Sequence, residues 1–290
     1  MRFARPETIE DAARMLAAEP GVTRILTGGT DVMVQMRAGL AAPALVVDVK
    51  HLTGLRAITP EAGGYRIGAA VPGAVMGEHA GLRALWPGVV EGVELIGSTQ
   101  VQGRATMAGN LCNGSPAADA VPGLVAADAV VRIMGVDGAR DCPVIDIPAG
   151  PGRTTLAKGD IVTSIFLPAR PARSGDAYLR FTPRSEMDIA VVSAAVSLTL
   201  GADGAVTAAR VALGAVAPTV LLVDEAAQAI IGTRLDDAAL AALAAACSAA
   251  CRPIDDKRGT VAFRTQVAGV LARRAASIAR DRAHSAGDAA

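Results

Sequence analysis

The feature that most constrains the fold is a polar, glycine-rich segment in the first half of the chain, residues 96–119. It holds four glycines with small hydroxyl residues and side-chain amides, and its only charged residues are Arg104 and Asp119. Glycine lets the backbone approach a bound group and take positive φ, while hydroxyl, amide and backbone N–H groups supply neutral donors. The composition predicts a loop laid against a ligand, with a solvated connection between two elements as the alternative.

A second glycine loop lies upstream, at residues 27–31, with the sequence Thr-Gly-Gly-Thr-Asp. It follows a short apolar run and precedes a segment of helical character, residues 32–39. This arrangement of a strand, a double-glycine turn and a helix N-terminus favours the binding of an anion, because the first N–H groups of a helix have no intrahelical partner. The loop is neither the G-x-G-x-x-G fingerprint nor a P-loop, since no Gly-Lys-Ser/Thr follows it.

These motifs carry a family resemblance. Residues 27–31, 96–111 and 115–119 resemble the FAD-binding loops of the flavoprotein (medium) subunit of molybdenum hydroxylases, a group that includes xanthine dehydrogenases and aerobic carbon monoxide dehydrogenases. Residues 210–218 and 256–259 resemble the C-terminal domain of the same subunit. The resemblance covers essentially the whole chain. It implies an α+β protein in which a vanillyl-alcohol-oxidase (PCMH)-type FAD-binding domain of two α/β subdomains precedes an α+β C-terminal domain with an antiparallel sheet and helices.

Sequence patterns divide the chain in the same way. Residues 1–55 predict a β-α-β unit, the first FAD-binding subdomain, and residues 56–170 the second, with a helix at 82–95 interrupted at Trp86-Pro87 and a strand at 161–167. Residues 176–283 predict a hairpin of 189–200 with 205–213, then helices near 221–231, 236–251 and 260–283. Residues 284–290 show no core-forming pattern and predict a disordered tail.

Composition narrows the classes of partner. With 28 basic and 28 acidic residues, the chain has no net field that favours nucleic acid or an acidic membrane. No run of 18 apolar residues predicts a membrane span, and the N-terminus has no apolar signal region, so we expect a cytoplasmic protein. The four cysteines form no C-x-x-C pair, which predicts no iron–sulfur cluster and no metal site in this chain.

The resemblance implies roles for individual residues in holding FAD. Both loops would enclose the pyrophosphate and ribityl region, with the glycines allowing close approach and the Thr30 and Thr106 hydroxyls donating hydrogen bonds. A methyl group at Ala108, where many relatives have glycine, requires a negative φ. The implied cofactor-binding residues are Thr27, Gly28, Gly29, Thr30, Asp31, Thr106, Ala108, Gly109, Asn110, Asp119, Ile161 and Arg180.

Three of these residues have roles outside the loops. Asp119 would accept hydrogen bonds from a ligand hydroxyl or amine, or else serve as a helix-cap carboxylate. Ile161 would give backbone contacts to the adenine or flavin end. Arg180 would place a cation near the flavin pyrimidine edge, or else be a surface arginine on a strand.

The resemblance also implies the function. A large partner subunit would carry the molybdenum cofactor, a small one two [2Fe–2S] clusters, and this chain would pass electrons from the clusters through FAD to an acceptor, in a dimer of heterotrimers. No catalytic acid, base or nucleophile is expected in this chain, because the cofactor performs the redox step. The alternatives are a self-contained flavin oxidoreductase of the same superfamily and a non-catalytic assembly subunit.

Overall fold

The structure is a computed structural model that describes residues 1–185 and 187–288. Its first unit contains β1 (Arg2–Ala4), α1 (Ile9–Ala18), β2 (Thr23–Leu26), α2 (Val32–Arg37) and β3 (Leu45–Asp48). The strands form a parallel sheet in the order β1-β3-β2. Thr8 begins α1, because its Oγ1 accepts a hydrogen bond from the Asp11 N–H at 3.1 Å. The predicted β-α-β unit is present, and β1 is an additional strand.

The second unit is built on an antiparallel sheet in the order β4-β5-β10-β6-β7. Its first half contains β4 (Ile58–Glu61), β5 (Gly64–Gly68), α3 (Gly73–Glu78), α4 (Ala80–Leu85), α5 (Pro87–Glu94), α6 (Thr99–Gln102) and α7 (Met107–Cys112). Its second half contains α8 (Ala120–Ala126), β6 (Val130–Gly135), β7 (Gly138–Pro143), β8 (Pro148–Gly150), β9 (Arg153–Thr154) and β10 (Ile161–Leu167). The predicted helix interruption is confirmed: α4 ends before Trp86, and Pro87 begins α5.

The third unit is an antiparallel sheet, in the order β11-β12-β13-β14, packed against helices. It contains β11 (Ser174–Phe181), β12 (Val192–Leu200), β13 (Val206–Gly214), β14 (Leu221–Leu222), α9 (Asp224–Gln228), α10 (Asp237–Ala250) and α11 (Val261–Asp288). The predicted hairpin corresponds to β12 and β13. The structure adds β11 and β14 at its two sides. These units confirm the predicted α+β class.

Helix α11 is the longest helix and lies across β11 and β12. The helix approaches these strands closely because buried alanines form its inner face. At the point of contact, a Cβ at Gly175 of β11 would lie 1.9 Å from the Ala279 carbonyl oxygen. The helix continues through residues 284–288, in the segment predicted as a disordered tail. Residues 289–290 of that segment lie outside the described part. Among the described helices, none is both long and apolar enough to cross a bilayer.

Candidate functional site

The first glycine loop lies between β2 and α2 and packs against the second. Gly29 has a φ of +81°, a conformation that favours glycine. A Cβ at Gly28 would lie 2.0 Å from the carbonyl oxygen of Arg104 and 3.2 Å from the Cα of Ala105. Gly28 is therefore required by the contact between the two loops, whereas the sequence suggested that its role was to let a ligand approach.

The second loop ends in α7, whose first turn meets the first loop. Thr106 begins this helix, because its Oγ1 accepts a hydrogen bond from the Gly109 N–H at 2.9 Å. The same Oγ1 lies 3.5 Å from the Thr27 Oγ1. Ala108 is inside α7 with negative φ, so its methyl group meets the condition that the sequence set for it. Two threonine hydroxyls, one from each loop, thus lie side by side.

The side chain of Asn113 forms hydrogen bonds between the second loop and the region of the first. Its Oδ1 accepts a hydrogen bond from Gln35 Nε2 at 3.0 Å, and its Nδ2 donates to Asp31 Oδ1 at 3.2 Å. Asn110, one helical turn earlier, accepts from the Ala120 N–H through Oδ1 at 3.1 Å, while its Nδ2 donates to no residue in the described chain. The Asn113 side chain therefore helps to fix the relative position of the loops, and one amide donor of Asn110 stays free.

A cavity of about 420 Å³ lies between the loops. Ten predicted site residues line it, and Asp119 and Arg180 do not: the ten are Thr27, Gly28, Gly29, Thr30, Asp31, Thr106, Ala108, Gly109, Asn110 and Ile161. Ile161 contributes from the first position of β10 and is 1% exposed. Residues separated by more than a hundred positions in the sequence thus meet at one cavity, as the two glycine loops and the assignment of Ile161 led us to expect.

Sequence reasoning missed most of a third wall. This wall is formed by residues around β9 and at the start of β10: it comprises Gly152, Thr154 and residues 156–162, of which only Ile161 was predicted. Arg24, Gln35 and Asn113 were also missed. Lys158-Gly159-Asp160 is a recognisable turn signal before a strand, and both Gly152 and Gly159 have positive φ. That signal predicts a turn but not its position in space, which depends on pairing between distant strands.

The cavity presents free backbone donors. The N–H groups of Gly28, Gly29, Thr30 and Asp31 donate to no residue within 1–185 and 187–288, and no side chain caps α2. In α7, the first two N–H groups are also without an acceptor among those residues. Polar N–H groups in a concave site need an acceptor, and N–H groups at helix starts suit a phosphate. This donor set fits the pyrophosphate of FAD.

Asp119 and Arg180 form a separate buried cluster with Tyr178. Arg180 Nη1 donates to Asp119 Oδ2 at 2.6 Å, and the Tyr178 hydroxyl donates to Asp119 Oδ1 at 2.8 Å. The Arg180 side chain is only 6% exposed, so the alternative of a surface arginine is wrong. Asp119 is the N-cap residue of α8 but makes no side-chain cap hydrogen bond. Both carboxylate oxygens are thus occupied by protein donors.

The cluster shifts the titration of its members. Burial raises the pKa of Asp119 to about 6, although the Arg180 charge and the hydrogen bonds lower it. Burial, and then the Asp119 charge, raise the pKa of Tyr178 well above its usual value. The roles predicted for Asp119 and Arg180 beside a bound flavin stay predictions, since neither side chain reaches the cavity wall.

The sequence of the chain matches known protein families and known proteins along most of its length. The family described as "FAD binding domain in molybdopterin dehydrogenase" matches residues 1–170, and the "CO dehydrogenase flavoprotein C-terminal domain" matches residues 177–279. The carbon monoxide dehydrogenase medium chain of Afipia carboxidovorans is 33% identical over 97% of each chain. The xanthine dehydrogenase FAD-binding subunit of Escherichia coli O157:H7 is 28% identical over 95% of this chain and 94% of that one.

Solved structures agree with the sequence matches. A chain of the reconstituted CO dehydrogenase from Oligotropha carboxidovorans superimposes with a TM-score of 0.93 at 32% identity, covering 97% of this chain and 98% of that chain. Both the FAD-binding part and the C-terminal part therefore have family counterparts in the same order. The chain belongs to the family of FAD-binding medium subunits of molybdenum hydroxylases, as the resemblance of its two glycine loops predicted.

Proposed function

We propose that this chain binds FAD between its two glycine loops and passes electrons from [2Fe–2S] clusters of a partner subunit through FAD to an external acceptor. The observation that carries the proposal is that both loops line one cavity and contain backbone N–H groups without an acceptor among the described residues. A pyrophosphate offers the acceptors that these groups lack, and the helix N-termini favour its negative charge.

The residues around the cavity bind and orient the cofactor. The N–H groups of Gly28 to Asp31, the Thr30 hydroxyl and the free amide donor of Asn110 would hold the phosphates and the ribityl region. Bound FAD would supply the redox chemistry, which needs no acid, base or nucleophile from this chain. In this proposal the substrate is bound and oxidised elsewhere in the enzyme, so the cavity needs to recognise only FAD.

The proposal includes partner subunits. The relatives described above are named as a medium chain and as an FAD-binding subunit, which supports an enzyme of several chains. We infer a large subunit with the molybdenum cofactor and a small subunit with two [2Fe–2S] clusters, assembled as a dimer of heterotrimers in the cytoplasm. The four cysteines support placing the clusters in another chain, because they form no C-x-x-C pair.

The test is to purify the full chain alone and together with the products of the genes that flank its own. A flavin spectrum from the chain alone, joined by iron–sulfur absorbance when a larger and a smaller protein copurify, is the expected result. Mass analysis of the complex should give two copies of each subunit. A matched Gly28→Val variant should lose the flavin, because its side chain prevents the loops from docking.

Two other results would contradict the proposal. A flavin-bound chain that stays alone and whose flavin is reduced directly by an added substrate would instead be a self-contained oxidoreductase. A colourless chain that takes up no added FAD, alone or with its partners, would be a non-catalytic assembly subunit.

A further inference from the structure

The charge of the proposed ligand raises a question about the cavity. A pyrophosphate carries two negative charges, yet the cavity-lining parts of the two glycine loops, residues 27–31 and 105–113, contain no cation. Four ionisable lysine, arginine or acidic side chains line the cavity, namely Arg24, Asp31, Lys158 and Asp160. Two of the four are acidic, so the free cations among them decide how well the site accepts an anion.

Lys158 sits on a rigid turn in the third wall. The Asp160 N–H donates to the Ala157 carbonyl at 3.0 Å, and the Ala157 N–H donates back to Asp160 Oδ2 at 2.8 Å. Gly159, at a φ of +95°, packs so closely on α1 that a Cβ there would lie 2.9 Å from the Ala17 Cβ. The turn is therefore held by its own hydrogen bonds and by α1, and it presents Lys158 at a fixed place on the cavity wall.

The carboxylates around Lys158 are occupied by arginines. Asp160 accepts two hydrogen bonds from Arg140, one of them at 2.9 Å. Glu19 pairs with Arg2, whose hydrogen bond is the main cause that lowers the pKa of Glu19, and the Lys158 charge acts in the same direction. Lys158 itself forms no ion pair with any described residue, is exposed, and lines the cavity. The other lining cation, Arg24, uses Nη1 on the carbonyl of its neighbour Thr23 at 3.0 Å.

We propose that Lys158 binds the adenosine-diphosphate half of FAD and is the cation that balances its pyrophosphate. The proposal rests on the proposed function, since it requires FAD to occupy this cavity. In this proposal the third wall distinguishes flavins that carry a pyrophosphate from flavins that do not. A lysine suits the task, because its ammonium group is a compact charge on a flexible stem that adjusts to phosphate oxygens.

The test uses the full chain freed of FAD, with Lys158→Met compared against Lys257→Met, a lysine that does not line the cavity. FAD affinity is measured by flavin fluorescence, ADP affinity by displacement of FAD, and riboflavin affinity directly. Lys158→Met should weaken FAD and ADP binding roughly fivefold to tenfold at low salt and leave riboflavin binding unchanged. The difference should shrink as ionic strength rises, and Lys158→Arg should restore most of the affinity.

The outcomes separate this inference from the proposed function. Unchanged FAD and ADP affinities in Lys158→Met, with normal FAD binding by the wild type, would overturn the role of Lys158 and leave the function standing. Equal weakening of all three ligands would also overturn it, because riboflavin has no phosphate for the lysine to hold. A wild-type chain that binds no FAD would overturn the proposed function itself.

Discussion

The two polar regions of the molecule use their hydrogen-bonding groups in opposite ways. At the cavity, the loops leave backbone N–H groups and an amide donor without protein partners. In the cluster of Asp119, Tyr178 and Arg180, both carboxylate oxygens accept hydrogen bonds from protein groups, and the ion pair is buried. A region with free donors is prepared for a ligand, whereas a region that satisfies itself stabilises the fold. The comparison predicts that mutations in the two regions affect different measurements.

The largest effect should come from Gly28→Val. The new Cβ would lie 2.0 Å from the Arg104 carbonyl, so the loops must separate. We expect a loss of about 3 kcal/mol in the free energy of unfolding and no measurable FAD binding, because the donors no longer face one cavity. Gly103→Ala is the matched control, since its nearest contact would be an ordinary 3.8 Å. Fluorescence titration with FAD and urea unfolding check both, and FAD binding by Gly28→Val would contradict the loop contact.

Arg180→Met tests the self-satisfied region. It leaves Asp119 buried without its cation, and removing one partner of a buried ion pair costs about 3 kcal/mol. Affinity for ADP, the half of FAD proposed to lie at the cavity, should stay within about twofold of wild type. Arg184→Met, at a side chain 68% exposed, serves as the control and should change little. If ADP binding falls together with stability, the two regions are one site and the comparison fails.

A smaller effect concerns pH. The native Asp119 carboxyl, with a pKa of about 6 against an ordinary 3.8, binds its proton more tightly than the unfolded chain does. The contribution of this group to stability is therefore greatest at low pH and falls as the pH rises from about 4 to about 6. Asp119→Asn removes this slope, so its cost in free energy of unfolding, relative to wild type, should decrease by ~2 kcal/mol between those values. Urea denaturation measures this difference between wild type and Asp119→Asn. An equal difference at pH 4.5 and at pH 7 would disprove the raised pKa.

The smallest effect should come from Asn113→Ala, which removes one hydrogen bond from the Gln35 side chain of α2 and one to the Asp31 carboxylate of the first loop. A loss of about 1 kcal/mol in FAD binding, roughly fivefold in the dissociation constant, is expected, because the loops then lose part of their preorganisation. Gln100→Ala, which removes a contact within a single loop, is the control. An equal effect of the two substitutions would show that the bridge between loops has no special role.

Much of this organisation can be predicted from the sequence, and the exceptions have physical causes. The glycine loops, the hairpin of β12 with β13 and the break at Trp86-Pro87 depend on local chemistry, so local patterns predict them. The third wall of the cavity depends on how β10 pairs with β5 and β6 and on the packing of Gly159 against α1, which no local pattern records. Tyr178 was missed as a partner of Asp119 because 59 residues separate them.

The contact between Gly28 and the Arg104 carbonyl has a consequence for how the protein matures. The N-terminal sheet shares a buried apolar cluster with the second unit, whereas its 27–31 loop is held there by backbone contact and by a few hydrogen bonds, so local opening of this loop costs less than global unfolding. A ligand bound to both loops favours the closed form through mass action. Bound FAD would therefore stabilise the 27–31 loop more than the sheet behind it. Flavin supply would then decide how often that loop is open to amide exchange and to proteases.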